Sequence, residues 1–286
     1  MKQKIVVKRA HIFARIGLWF KFFKSFSGLT LRSHLNIIFS AIVDILKVLL
    51  FPKFMLWNPR TLWSGLYVVK QQYNFIIFTR GGTEDLYYAL PRREPPVYDL
   101  MLSILKKDDV FVDVGANIGY YTILAAKLGA HVIAVEPVPE TAKVLMLNLK
   151  LNGVKNVVVV NKAAWDKREK LLINIPKGFY GYASVYKRHF SQTIKMMVEG
   201  FPLDDILKGF SRNIKLIKID VEGAEYRVIK GMGESLLNTM YVVISPHYEE
   251  DSLSWRKILG FLTQKGFSIE WRQGYMICRN KTLLSV

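Results

Sequence analysis

Three short stretches of the chain carry side chains at spacings suited to chemistry. The first is Asp113-Val-Gly115-Ala-Asn117-Ile-Gly119. Gly115 and Gly119 allow a tight turn and a close backbone approach to a ligand. A helix starting near Gly119 would aim its free N–H groups at that ligand. The spacing lacks the middle glycine of G-x-G-x-x-G, which argues against a nicotinamide dinucleotide. The second stretch ends in Glu136, 23 residues after Asp113. An acid at that strand end can accept both ribose hydroxyls of a nucleoside. The third is Lys218-Ile-Asp220-Val-Glu222-Gly-Ala-Glu225, with three carboxylates within six residues. Carboxylates there can take a proton from a reacting hydroxyl or orient it. They can equally cap a helix or face water. Glycine loop and Glu136 together favour a nucleoside cofactor, and the carboxylates would face its reactive part.

The elements that must position these residues alternate. Val110–Val114, His131–Val135, Val157–Val160, Ile214–Ile219 and Tyr241–Ile244 read as buried strands. Helices are expected over Tyr120–Leu128, Pro139–Leu151, Ala224–Ile229 and Trp255–Lys265, with Asn152-Gly153 and Gly266 as stops. Phe267–Trp271 and Tyr275–Cys278 suit a closing hairpin. Alternation of this kind predicts an α/β fold, a mostly parallel sheet with helices on both faces. Ligands then bind at the carboxyl ends of the strands.

The combination of Asp113-Val-Gly-Ala-Asn-Ile-Gly-Tyr-Tyr-Thr122, Val135-Glu-Pro137, Asn148-x-x-x-Asn152-Gly, Leu203-Asp-Asp205 and Lys218–Glu225 resembles the FkbM-type methyltransferases. The likeness covers roughly Asp108 to Cys278. It implies a Rossmann-like class I methyltransferase fold with a seven-stranded sheet, the seventh strand inserted antiparallel. It also implies S-adenosyl-L-methionine as cofactor and methyl transfer, usually to a hydroxyl of a sugar or small metabolite. On this reading Asp113, Gly115, Asn117 and Gly119 hold the methionine end, Glu136 the ribose, and Asn161 and Ala163 lie near the adenine. The base comes from His247 or from Asp220, Glu222 and Glu225; His131 and His189 are lesser candidates. The fifth strand of such proteins commonly ends in a Glu two residues before a His. Here Ser245 stands in place of that Glu, His247 matches the His, and Glu249 is a candidate replacement. No metal site is assigned, because the carboxylates alone list no complete ligand set for Mg²⁺.

Composition narrows the rest. The chain has 286 residues, 51 % apolar, with one Cys, which excludes a disulfide scaffold and Cys-based metal or redox centres. The net charge is +18, unevenly spread: residues 1–80 hold 13 basic side chains and one acid, Asp44. Three parts are expected: a basic amphipathic helical extension over 1–57, a hairpin and connector helix over 58–107, and the cofactor-binding domain over 108–286. In the extension, Ile12, Phe13, Ile16, Phe20 and Phe23 share one helix side, with Arg15, Lys21 and Lys24 away from it. From Leu35 to Phe51 a single polar stripe, Asn36, Ser40, Asp44 and Lys47, interrupts an apolar helix that Pro52 stops. The run is short for a membrane span and carries two charges. Three partners suit such a segment: an anionic membrane surface, the catalytic domain itself, or nucleic acid. The expected location is cytoplasmic, with peripheral membrane attachment as a variant, and the expected acceptor is a glycan or small molecule. An RNA methyltransferase is the first rival, although the fourth strand lacks an Asn-Pro-Pro-Tyr-like motif and Cys278 has no partner cysteine. A non-catalytic membrane-associated protein with a vestigial cofactor fold is the second.

Overall fold

The computed structural model describes residues 2–186, 192–210, 213–245, 247 and 253–284; in residues 2–11 it describes the backbone alone. His189 and Glu249 lie outside the described residues. The chain divides into two compact units, residues 1–93 with 178–181, and residues 94–177 with 182–286.

In the first unit, α1 (Lys2–Ser25) leads into β1 (Phe26–Gly28), α2 (Leu31–Leu50), β2 (Gly65–Val69), β3 (Phe75–Thr79) and the short α3 (Asp85–Tyr88). The β2–β3 hairpin forms as expected, and β1 adds a third antiparallel strand to β2. β1 is only three residues long and carries no alternation that a sequence window can detect. α2 begins four residues before the expected Leu35, because the Thr30 hydroxyl caps it by accepting the Ser33 N–H at 3.2 Å. Arg15, expected among the outward charges, is buried together with Trp19 and Phe22. Its guanidinium donates to the carbonyls of Phe54 and Trp57, both at 2.7 Å, and pairs with Asp44 at 3.2 Å.

The second unit runs α4 (Pro95–Ile104), β4 (Val110–Val114), α5 (Tyr120–Lys127), β5 (His131–Val135), α6 (Pro139–Leu151), β6 (Val157–Val160), β7 (Ala163–Trp165), β8 (Glu169–Pro176), β9 (Thr193–Pro202), α7 (Leu203–Ile206), β10 (Ile214–Ile219), α8 (Glu225–Lys230), α9 (Glu234–Leu237), β11 (Thr239–Ile244), α10 (Leu253–Gln264), β12 (Phe267–Arg272), β13 (Tyr275–Asn280) and α11 (Lys281–Leu284). Its seven-stranded sheet has the order β12-β13-β11-β10-β4-β5-β6. β4, β5, β6, β10 and β11 are parallel, while β13 runs antiparallel to both neighbours. This is the Rossmann-like class I methyltransferase arrangement, with the last strand inserted antiparallel.

The strands read as continuous apolar runs because both faces are covered. Val112, Val114, Ile133, Ile217, Ile219, Val242 and Ile244 form the core with Val228, Trp255 and Ile258 from the helices. A second sheet of order β7-β9-β8 lies between β6 and β10 in sequence. Its sequence signal is weak, since Lys195, Met197 and Glu199 alternate only loosely with apolar neighbours on β9.

Candidate active site

β4 and β10 are adjacent and parallel, so their carboxyl ends deliver the glycine loop and the acidic loop side by side. The chain turns sharply after Val114 through three left-handed residues, Gly115 (φ +83°), Asn117 (φ +49°) and Gly119 (φ +95°). Gly115 is required twice over. Its φ suits glycine, and a Cβ there would lie 1.9 Å from the Asp220 carbonyl oxygen. The loop is tied down from three sides. The N–H groups of Gly115 and Ala116 donate to the Val135 carbonyl at 2.9 and 3.1 Å. The Asn117 N–H donates to Glu136 Oε2 at 2.9 Å. Asn148 Nδ2 donates to the Ile118 carbonyl at 2.9 Å.

Glu136 is buried, and its other oxygen accepts the Val138 N–H at 2.9 Å. Asn161 Nδ2 donates to the carbonyls of Glu136 and Pro137, at 2.7 and 3.1 Å, and so holds the turn after β5. Asn117, Glu136 and Asn161 are therefore one cluster, joined through the ends of β4, β5 and β6. Ala163, two residues after Asn161, opens β7 and pairs with Gly200 of β9.

The loop fits the cofactor that the sequence resemblance implies. Asn117 Oδ1 is buried and accepts no hydrogen bond, leaving an acceptor available to an ammonium or hydroxyl group. Gly115, with no Cβ, lets this loop pack directly against the Asp220 carbonyl, so the glycine loop and the acidic loop meet at one place. Replacing Glu136 with Ala removes the acceptor of two loop amides, so S-adenosylmethionine affinity should fall by about tenfold or more. Calorimetry on the purified variant measures this, and unchanged affinity would remove Glu136 from the cofactor site.

The second half of the site is a buried ionic network. Lys218 stands in register with Asp113 across the β4–β10 ladder. Its ammonium lies 3.0 Å from Asp220 Oδ2, 3.9 Å from Asp113 Oδ1 and 5.2 Å from the centre of the Tyr121 ring. Burial by itself would lower the Lys218 pKa, but Asp220, Asp113 and Glu94 raise it, so the lysine is cationic. Asp113 is pushed up by burial, against Lys218 and the Thr122 hydroxyl, which donates to Asp113 Oδ2 at 2.7 Å.

Beyond Asp220, His247 sits inside a ring of three carboxylates. Nε2 lies 3.2 Å from Glu222 Oε1 and 3.5 Å from Asp220 Oδ1, and Nδ1 lies 2.9 Å from Glu225 Oε1. Burial would lower the imidazole pKa; the hydrogen bonds to Glu222 and Glu225 and the charge of Asp220 override it and push it up to about 11. At neutral pH His247 is an imidazolium and has no lone pair with which to take a proton.

Each carboxylate has its own setting. Glu225 is fully buried, and the same oxygen accepts from the N–H groups of Gly223 and Val221 at 3.1 and 3.4 Å. It fixes the loop and the ring. Asp220 lies between the two cations. Glu222 occupies a left-handed position (φ +54°) uncommon for a residue with a side chain, and its carbonyl accepts the Ser184 hydroxyl at 2.8 Å. Ser245 is buried on the neighbouring strand end, and its hydroxyl makes no hydrogen bond. Asp220, Glu222 and His247 also offer ligand atoms within 4.8 Å of one another. With His247 protonated, the imidazolium supplies the positive charge at that point.

Sequence reasoning placed Asp220, Glu222, Glu225 and His247 together, and the structure joins them. It gave Lys218 no role, although the residue stands within the quoted motif; a lysine in an otherwise apolar strand was the available signal.

The model of the methyltransferase FkbM domain matches residues 113–269, which contain Asp113, Lys218, Asp220, Glu222, Glu225 and His247. Methyltransferase sdnD of Sordaria araneosa is 29 % identical over 197 residues, 58 % of this chain and 76 % of that protein. Hexuronic acid methyltransferase AglP of Haloferax volcanii is 27 % identical over 184 residues, 64 % of this chain and 74 % of that protein. Among solved structures, an S-adenosylmethionine-dependent methyltransferase from Aquifex aeolicus overlaps 68 % of this chain and 95 % of its own with a TM-score of 0.40 at 14 % identity. With a glycine loop, a strand-end Glu136 and the Lys218–Glu225 motif all inside the matched span, the chain belongs to the FkbM methyltransferase family and is an S-adenosylmethionine-dependent methyltransferase.

Proposed function

We propose that the protein methylates a hydroxyl oxygen of a sugar of the uronic acid or glycan class, with Glu222 as the base. The observation that carries this reading is the ring of Asp220, Glu222 and Glu225 around a protonated His247 at the end of β10. S-adenosylmethionine, when bound, supplies an activated sulfonium methyl, so the protein's work is to align the acceptor and manage one proton.

A neutral hydroxyl loses its proton as its oxygen takes the methyl, and a carboxylate within reach accepts it. His247 is already protonated, Glu225 is fully buried, and Asp220 is engaged by two cations. That leaves Glu222, partly exposed at 13 %, as the proton acceptor. The cations have a second use. Even with Asp113 protonated, three carboxylates face Lys218 and His247, an excess of negative charge suited to a cationic cofactor. Adjacent carboxylates and an imidazolium also suit a polyhydroxy acceptor, which offers several donors and acceptors at short spacing. The relative named as a hexuronic acid methyltransferase supports the same class of acceptor.

The test is an acceptor screen with purified protein and isotopically labelled cofactor over uronic acids, neutral hexoses and unrelated phenols. The expected result is cofactor-dependent gain of one methyl on a sugar hydroxyl, located by fragmentation. Transfer to nitrogen or to RNA, with sugars inert, would overturn the reading. Turnover should also persist in excess EDTA, because the imidazolium supplies the charge that a cation would bring. Loss that Mg²⁺ or Mn²⁺ restores would make Asp220, Glu222 and His247 a cation site instead.

A further inference from the structure

In a water-exposed amphipathic helix the polar stripe faces out and the apolar stripe faces in. α2 is built the other way round. Ser33, Asn36 and Ser40 are buried, and Asp44 is largely so at 14 % exposure. Every one of them is engaged inside the first unit. Asn36 Nδ2 donates to the Tyr67 hydroxyl at 2.7 Å, and Asn36 Oδ1 accepts the Trp63 N–H at 3.3 Å. The hydroxyls of Ser40 and Ser33 accept the N–H groups of Leu62 and Leu66, at 2.9 and 3.0 Å. Asp44 accepts from Trp19 Nε1 at 2.8 Å and pairs with Arg15. These bonds fix the helix rotation, so the opposite face is held outward.

That face carries Leu35, Ile38, Phe39, Ile42, Leu46 and Leu49, exposed by 39 to 51 %. At about 100° per residue these six fall within a single arc of roughly 100°, one continuous stripe. α1 adds Phe13, Phe20 and Phe23, exposed by 70, 62 and 44 %. Folded monomers rarely leave so much contiguous apolar surface in water. The charge around it has one sign. Lys21, Lys24, Arg32, Lys47, Lys53 and Lys70 are exposed. The acids of residues 1–93 are Asp44, Glu84 and Asp85, and none is exposed: Asp44 pairs with Arg15, Asp85 with Arg80, and Glu84 accepts from Asn58.

We propose that α1 and α2 form a docking surface for an anionic lipid bilayer, the apolar stripe entering the acyl boundary and the lysines and Arg32 meeting the headgroups. Apolar insertion combined with cationic attraction is the physics of helices that lie in a membrane interface. A spanning α2 is a poorer account, because its other face is hydrogen-bonded to β2, to α1 and to the segment 57–63 along its length. The inference is independent of the acceptor and of the base.

The experiment is vesicle flotation of the full chain with phosphatidylcholine alone and with phosphatidylcholine mixed with phosphatidylglycerol. Binding is expected to the mixed vesicles, weakened by salt and weak on phosphatidylcholine alone. Replacing Phe39, Ile42 and Leu46 together by Ser should lower partitioning by about tenfold or more, and Lys21→Glu with Lys24→Glu should lower it on the mixed vesicles only. S-adenosylmethionine affinity, measured on the same variants, should not change, which separates lost docking from a misfolded chain. Three outcomes overturn the proposal: no flotation with either vesicle; a lipid-free dimer that the triple Ser variant dissociates, which makes the stripe a self-association face; or equal binding to duplex nucleic acid that the triple Ser variant leaves intact.

Discussion

Glu222→Gln should lower kcat by about a hundredfold to ten-thousandfold, the range that a positioned general base contributes. The substitution is close to isosteric. The amide oxygen can still accept from His247 Nε2, which lies 3.2 Å from Glu222 Oε1 in the parent. Glutamine at φ +54° carries the same backbone strain as glutamate. What it cannot do is take a proton at neutral pH, so cofactor affinity should hold while turnover collapses. Single-turnover rates with saturating S-adenosylmethionine make the measurement, with calorimetry on the same preparation. Two companions locate the base. Asp220→Asn removes the negative charge that the buried Lys218 ammonium meets at 3.0 Å, so it should cost stability as well as rate, on the order of 3 kcal/mol. Glu225→Gln keeps an acceptor for the Gly223 N–H and should reduce the rate least. Retention of most activity by Glu222→Gln, with Asp220→Asn inactive and still folded, would move the base to Asp220.

The methyltransferase half was readable because its signals are local and agree with one another. The apolar runs of β4, β5 and β10, the helix stops at Gly153 and Gly266, and the glycine at each tight turn all name the same element boundaries. The acidic loop was legible for the same reason: three carboxylates at a strand end imply either a cap or a site, and Glu225 and Glu222 turn out to divide those roles. What the sequence did not reveal is pairwise. That His247 is an imidazolium depends on Glu222 and Glu225 meeting it from another loop, 25 and 22 positions back along the chain. Lys218 gains its meaning from being in register with Asp113, which only the β4–β10 pairing supplies.

The amino-terminal helices show the converse. Periodicity located the polar stripe of α2 correctly, yet periodicity cannot say which side faces in. Ordinary experience of water-exposed helices assigns the polar side outward. Here the Asn36, Ser40 and Asp44 side chains find partners in Trp63, Tyr67, Leu62 and Trp19, all more than 20 residues away. Arg15 is inside for the same reason: two backbone carbonyls and Asp44 wait for it there. Satisfied polar groups are compatible with burial, and only the tertiary partners reveal that they are satisfied.

Folding stability should decline as pH rises from about 7 to about 8.5, and His247→Gln should abolish most of that slope. An unfolded histidine titrates near 6.5. In the fold, the hydrogen bonds to Glu222 and Glu225 and the charge of Asp220 outweigh burial and hold the proton to about 11. Between those values the native state carries one more proton than the unfolded state. The contribution is therefore complete below about 6.5, shrinks steadily above it and is gone once the folded imidazole deprotonates. Its slope has an upper limit of about 1.4 kcal/mol per pH unit, or about 2 kcal/mol across the window. Above that window the buried Cys278 adds a slope of the same sign, since burial pushes its thiol up while the unfolded thiol ionises. Urea midpoints at a series of pH values, compared at constant slope, isolate the histidine term. Equal pH dependence in the parent and in His247→Gln would mean that the imidazole is neutral in the fold. It would then be free to act as a base itself, and the activity should show a rising limb near pH 6.5 that the variant lacks. A parent-specific stability slope with no such limb leaves the proton on His247 throughout turnover and assigns the imidazolium to holding Glu222 and Asp220 in place.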